Sequence, residues 1–271
     1  MSLQPNTDVV VTPEKPAAGG RMLARHEGQV VFVLGAIPGE RVRVHVERVT
    51  RQLGFAEVVE VLEPSQDRRP EGVDLACGGS LYAHIAYPRQ LALKSELLAD
   101  AFKRIAKITA PKVISVMASR EDGYRLRARL HIRNGRAGFF REGTHEICDA
   151  GVTRQLLPET LEALTRLERD EPEFSQAVSC EVLENIPADE RAVQIDFRQS
   201  PPVIRGGPQV TDRFVVTGAE ISLAHDVRSF FQGNRWLLPA FTERVVSHIP
   251  AGSVMDLYAG VGLFGVSLAA L

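Results

Sequence analysis

The sequence predicts a multi-domain protein. An OB-like β-barrel comes first, an α/β domain follows, and the chain closes on the opening of a nucleotide-binding domain. Three observations predict this. Residues 8–63 are short β-branched stretches separated by turn residues. Residues 89–249 mix helical and strand periodicities. The last sixteen residues, DLYAGVGLFGVSLAAL, read as a strand, a glycine-rich turn and the start of a helix.

The composition fits this plan. At 271 residues the chain has room for two or three domains. It is 44% hydrophobic and 24% charged, as globular proteins are. No apolar run reaches the ~18 residues needed to cross a bilayer. The start, MSLQPNTDVVV, has neither the basic beginning nor the apolar core of a signal peptide. Three widely spaced cysteines do not read as a disulfide framework, and a reducing cytoplasm is the expected location. The net charge of −2 hides an asymmetry: residues 103–141 are strongly basic, and residues 154–191 are acidic.

In order along the chain, VVV (9–11), QVVFVLG (29–35), RVRVHVERV (41–49) and FAEVVEVLE (55–63) are expected strands. AAGG (17–20), HEG (26–28) and IPGE (37–40) are turns, and the spacing suggests a small closed barrel. PSQDRRPEG (64–72) has linker composition. Residues 89–108 place Leu91, Leu98, Phe102 and Ile105 near helical spacing, which predicts an amphipathic helix. YRLRARLHIR (124–133) alternates strictly, with Leu126, Ala128, Leu130 and Ile132 on one side and Arg125, Arg127, Arg129, His131 and Arg133 on the other. NGRAG (134–138) is a hairpin turn, and FFREGTHEI returns from it. PETLEALTRLERD is a helix. AVQIDFR, PVIRG and RFVVTGAEISLAHD supply strands, and residues 235–249 form a helix. SVMDLYAG is expected as a short buried strand.

Two constellations carry chemistry. Gly260, Gly262 and Gly265 are spaced G-x-G-x-x-G, which lets a cofactor approach the main chain; the alternative is a purely structural turn. The arginine row concentrates positive charge on one strand face. That suits a phosphate backbone, or else a solvated face or ion pairing with the acidic 154–191 segment. Cys77, ahead of a Gly-Gly turn, reads as a buried, inert thiol rather than a metal ligand, and His84, His131 and His145 lack triad partners.

Several stretches together resemble the SAM-dependent RNA (uracil-5-)-methyltransferases, which make 5-methyluridine in tRNA and 23S rRNA. GQVVFVLGAIPGERVRVHV is similar to the core of their TRAM domain, an OB-like RNA-binding module. ACGGSLYAHIAYPRQLALK resembles the family's cysteine-rich loop and following helix, and YRLRARLHI with GFFREGTHEI its central hairpin. SFFQGN (229–234) resembles FFQ-x-N, and DLYAGVGLFG resembles methyltransferase motif I.

The resemblance implies that Gln232 and Tyr258 contact S-adenosylmethionine. It also implies that Gly260 and Gly262 form the loop beneath the cofactor and that Asp256 closes the strand. Leu263 stands where the family often has asparagine. Of the four cysteines that hold an iron–sulfur cluster in some members, only Cys77 has a match. Glu71, Ser80 and Thr153 fall at or near the other places, with Cys148 offset, so no cluster is expected and no metal is assigned.

The implied division is a TRAM barrel at 1–64, a central α/β domain at 65–228, and a Rossmann-like methyltransferase stub at 229–271. The nucleophilic cysteine and general base are expected beyond residue 271, so the chain is expected to bind RNA through Arg125, Arg127, Arg129 and Arg133, as a monomer, without methylating it. A non-catalytic RNA-binding protein is the alternative, and a nicotinamide enzyme built on the same glycines fits the order of the elements less well.

Overall fold

A computed structural model describes residues 3–51, 53–70, 74–109 and 114–271. The chain divides into two compact units, at residues 1–118 and 119–271.

In the first unit, β1 (Asp8–Val11), β2 (Lys15–Pro16), β3 (Met22–His26), β4 (Gln29–Leu34), β5 (Arg41–Val49) and β6 (Leu53–Glu63) form one sheet, in the order β1-β5-β6-β4-β3-β2. The period-2 pattern of β5 explains its place. Val42, Val44 and Val46 are fully buried, while Arg41 and Arg43 face outward and pair with Glu63 and Glu60 of β6. Glu27 and Gly28, both at positive φ, make the tight turn between β3 and β4. β4 and β6 run parallel; the other ladders are antiparallel. No ladder joins β1 to β2 among the described residues, so the sheet is not the closed barrel that the strand spacing suggested.

Part of the expected linker is ordered. Arg68 makes an isolated bridge to Ile85, and its guanidinium grips the buried Glu40 carboxylate at 2.6 Å through both Nε and Nη2. Residues 71 and 72 lie outside the described residues. α1 (Tyr87–Ala101) starts at a proline, continues as a π-helical turn over Phe102–Ala106, and stops where Lys107 turns left-handed. The expected apolar stripe is not its buried face. Leu98, Phe102 and Ile105 are exposed, and Leu93 enters the core of the N-terminal sheet. Lys15 fixes the helix by an ion pair with Asp100 at 2.8 Å.

In the second unit, β7 (Arg127–Arg133), β8 (Arg136–Phe140), β9 (Ile147–Asp149), β10 (Ala177–Glu184), β11 (Arg191–Phe197) and β12 (Val203–Gly206) form an antiparallel sheet, ordered β12-β11-β10-β7-β8-β9. The alternation in β7 holds: Ala128, Leu130 and Ile132 are buried, and Arg129 is exposed. α2 (Pro158–Asp170) is tied to the sheet where Glu168 accepts the Ala137 amide and Thr160 donates to Glu184. β13 (Gln209–Val216) and β14 (Ala219–Asp226) make a separate hairpin. α3 (Leu238–Val246) and α4 (Leu263–Ala269) pack over that hairpin through Phe214, Ile221, Leu238, Val246 and Leu263.

One expected element is absent. Residues 253–258 pair with no strand among the described residues, and Val254, Met255, Leu257 and Tyr258 are exposed. Apolar content makes a strand only when neighbouring strands accept its hydrogen bonds.

Candidate functional site

The site grows from the segment between β14 and α3, SFFQGNR, which is anchored at five points. Arg127 Nη1 donates to Ser229 O at 2.6 Å. Phe231 is buried and stacks on His225 at 3.9 Å, and His225 Nε2 meets Asp212 Oδ2 at 2.7 Å with both side chains fully buried. Leu126 N donates to Gly233 O, and Arg235 N to Tyr124 O. Asn234 Oδ1 accepts from the amides of Trp236 and Leu237, just ahead of α3. Finally, the Arg235 guanidinium, sealed from solvent, donates to Glu184 at 2.6 Å and to the carbonyls of Arg125, Asn185 and Ile186. A loop held so tightly offers its free side chains in a preorganised way. Phe230 is exposed, and Gln232 is half-buried with no side-chain hydrogen bond among the described residues.

The glycine-rich turn lies on the same core. Val261, Leu263 and Phe264 belong to the cluster that holds Phe231, Leu238 and Val246, so the segment bearing Gln232 and the turn bearing Gly260 and Gly262 are built on one support. Gly260 and Gly262 sit at φ +59° and +81°, where a side chain is strained. A Cβ at Gly260 would meet nothing within 4 Å, so main chain faces open space there. Asp256 keeps one buried carboxylate oxygen without a partner, and a buried acceptor of that kind is costly unless a donor arrives. Tyr258 is fully exposed, at φ +60°.

The arginine row is less uniform than its spelling. Arg125 precedes β7 and donates to Gln155 at 2.6 Å. Arg127 is paired with Glu181 of the acidic segment at 2.7 Å. Arg129 reaches Ser179 at 3.4 Å, and Arg133 donates to the carbonyl of Ile132. One arginine is thus paired with a carboxylate of the acidic segment, and no carboxylate among the described residues accepts from Arg125, Arg129 or Arg133.

Cys77 is buried but disulfide-bonded, which corrects the inert free thiol that the sequence suggested. Ser80 is buried, and Glu71 lies outside the described residues. Cys180 is a free thiol on β10. Burial first, then Glu168, Asp196 and Glu181, pushes it up to about 12, so it is no nucleophile at neutral pH. Iodoacetamide at pH 8 is expected to leave Cys180 unmodified in the folded chain and to alkylate it in denaturant. Peptide mass mapping reads the difference, and rapid labelling of the native protein would contradict the burial. Arg235, Glu184, His225 and Asp212 escaped sequence reasoning. The one available signal was polar residues standing at otherwise core-facing strand positions.

An α/β unit that presents a glycine-rich turn beside an anchored polar loop, preceded by a β-sheet domain, defines a multi-domain protein with a methyltransferase-like fold. Residues 7–59 match the TRAM domain. An uncharacterized RNA methyltransferase of Corynebacterium glutamicum is 28% identical over 273 residues, covering 92% of this chain and 65% of the relative. The 23S rRNA (uracil(1939)-C(5))-methyltransferase of Methylococcus capsulatus is 28% identical, covering 94% of this chain and 67% of the relative. Among solved structures, the Pyrococcus abyssi tRNA (uracil-54, C5)-methyltransferase in complex with S-adenosyl-L-homocysteine superposes with a TM-score of 0.71 at 20% identity, over 96% of this chain and 70% of that one. Over most of its length the chain is similar to RNA methyltransferases, and it spans about two thirds of the length of these relatives. No helix among the described residues is long and apolar enough to cross a membrane.

Proposed function

We propose that this chain is the RNA-holding and cofactor-approach part of a cytoplasmic RNA (uracil-5-)-methyltransferase. The whole protein would transfer a methyl group from S-adenosylmethionine to uracil C5 in rRNA or tRNA, with the base turned out of its stack. The carrying observation is the shared core beneath the Gln232 segment and the Gly260–Gly262 turn. In this reading the front sheet is an OB-like TRAM module, residues 229–271 open the Rossmann-like domain, and the arginines of the central sheet face RNA.

The residues fit the cofactor in part. The orphaned Asp256 oxygen suits a donor, the open backbone at Gly260 suits close approach, and Gln232 has an uncommitted amide. Those three, with Gly262 and Tyr258, would hold S-adenosylmethionine, which supplies an electrophilic methyl group when bound. The chain's own residues orient and exclude. The five anchors hold Gln232, Phe230 lies exposed beside it, and Arg129 and Arg133 offer charge to phosphates.

The described residues contain no candidate nucleophile. Cys180 is buried with its thiol pushed up to about 12, and neither Cys77 nor Cys148 stands in a matching motif. The chain is therefore expected to bind RNA with strong salt dependence and to transfer no methyl group from labelled S-adenosylmethionine to uridine. Transfer above the no-protein background would refute this assignment. A second reading, a non-catalytic RNA-binding protein, expects the apolar residues near 253–258 to be covered, and their exposure weighs against it. Calorimetric titration with S-adenosylmethionine separates the two, because only the first expects saturable binding that Gln232→Ala weakens.

A further inference from the structure

The polar face of the central sheet carries a feature that the cofactor reading does not use. His131 on β7 and Phe140 on β8 lie on the same side, because His131 pairs with Gly138 and Phe140 is two residues on. Their rings are parallel, with centroids 3.5 Å apart and an interplanar angle of 4°. His145 meets the same phenyl ring edge-on at 5.5 Å, and the Arg133 guanidinium lies 5.3 Å from its centroid. His131 and Phe140 both keep solvent-accessible surface, and His145 is exposed. Burial, then the charges of Arg129, Arg133 and His145, hold His131 below the usual histidine range, so at neutral pH its ring is uncharged and stacks as a flat π-surface.

The charge beside these rings is uncompensated. Arg127, at the far end of the row, is neutralised by Glu181, but no carboxylate among the described residues accepts from Arg129 or Arg133. Cross-strand aromatic pairs do stabilise sheets, yet that role needs no arginines without carboxylate partners near a solvent-facing stack. Aromatic faces near guanidinium groups that no carboxylate neutralises suit unstacked bases joined by phosphates, and duplex RNA offers no such base.

We propose that Phe140, His131 and His145 form a stacking seat for one unpaired RNA base, with Arg129 and Arg133 holding the adjoining phosphates. This rests on the RNA-binding reading above and adds to it a specific base site.

The test is fluorescence anisotropy of the full chain with labelled oligouridylate and with the same sugar–phosphate backbone made abasic. The seat requires tighter binding to oligouridylate than to the abasic strand. Phe140→Leu should weaken oligouridylate binding roughly tenfold, leave abasic binding unchanged, and be rescued by Phe140→Tyr. Arg129→Gln should weaken both strands and lower the salt slope by about one. His131→Leu serves as a second ring deletion should Phe140→Leu melt early. Equal wild-type affinity for the two strands, or ring deletions that change nothing, overturns the seat while the RNA reading stands. Failure of the wild-type chain to bind either strand overturns both.

Discussion

Arg235→Ala is expected to destabilise the second unit by about 3–5 kcal/mol, the usual effect of removing one partner of a buried ion pair. The side chain is shut off from solvent and donates to the Glu184 carboxylate and three main-chain carbonyls. Without it Glu184, itself 1% exposed, keeps only Arg191 and Thr160, and the Arg125, Asn185 and Ile186 carbonyls lose a donor. Urea denaturation followed by far-UV circular dichroism measures the loss. Pairing the variant with Glu184→Gln should recover part of it, because the stranded charge goes too. A loss under about 1 kcal/mol would mean that the network is not a keystone of this unit.

Acidification should loosen the first unit. Burial is the main influence on His84 and takes it from 6.5 down to about 4. The Ala36 carbonyl, which its Nε2 meets at 3.1 Å, pulls the other way, with smaller opposing effects of Arg68 and Glu40. A histidine whose folded pKa lies below its unfolded one takes up its proton preferentially on unfolding. Its contribution is thus fully present above pH 6.5 and lost as pH falls toward about 4, a change of about 3 kcal/mol.

Glu40 acts in the same direction lower down. Burial opposes its ionisation, but the hydrogen bonds from Arg68 and from the Ser65 and Ile37 amides prevail, so its pKa is lowered. Its contribution is lost as pH falls below the ordinary carboxylate range. Denaturant midpoints of the first unit between pH 7 and 4, read by amide exchange of β4 and β5, should therefore fall steeply, and His84→Gln should flatten the upper part of that curve. A wild-type curve that is flat from pH 6.5 to 4.5 would disprove the burial argument.

What could be read from the sequence follows a physical division. β5, β6 and β7 are half-buried strands whose alternation survives in the fold, so their spelling locates them. β10 was missed because it is the interior strand between β7 and β11. It is buried on both faces and carries Ser179, Cys180, Glu181 and Glu184 instead of a regular alternation. β3 was missed for want of a β-branched run. SVMDLYAG erred in the other direction: its apolar letters promised a strand whose ladder partners are not among the described residues. The helix after Tyr87 was found, but its buried face was not, since Leu93 rather than Leu98, Phe102 or Ile105 meets the sheet. At the site, the glycines and Gln232 stand in recognisable words. Arg235 and Glu184 do not, because they work through contacts 51 residues apart.

The two-handed grip of Arg127 has a practical result. One guanidinium clasps Glu181 while also latching the main chain at Ser229, three residues ahead of Gln232. Charge-reversal scanning along the ribbon would therefore return a false positive at this position: the substitution would unfasten the loop that carries Gln232 and weaken binding even if that arginine never touched a nucleotide.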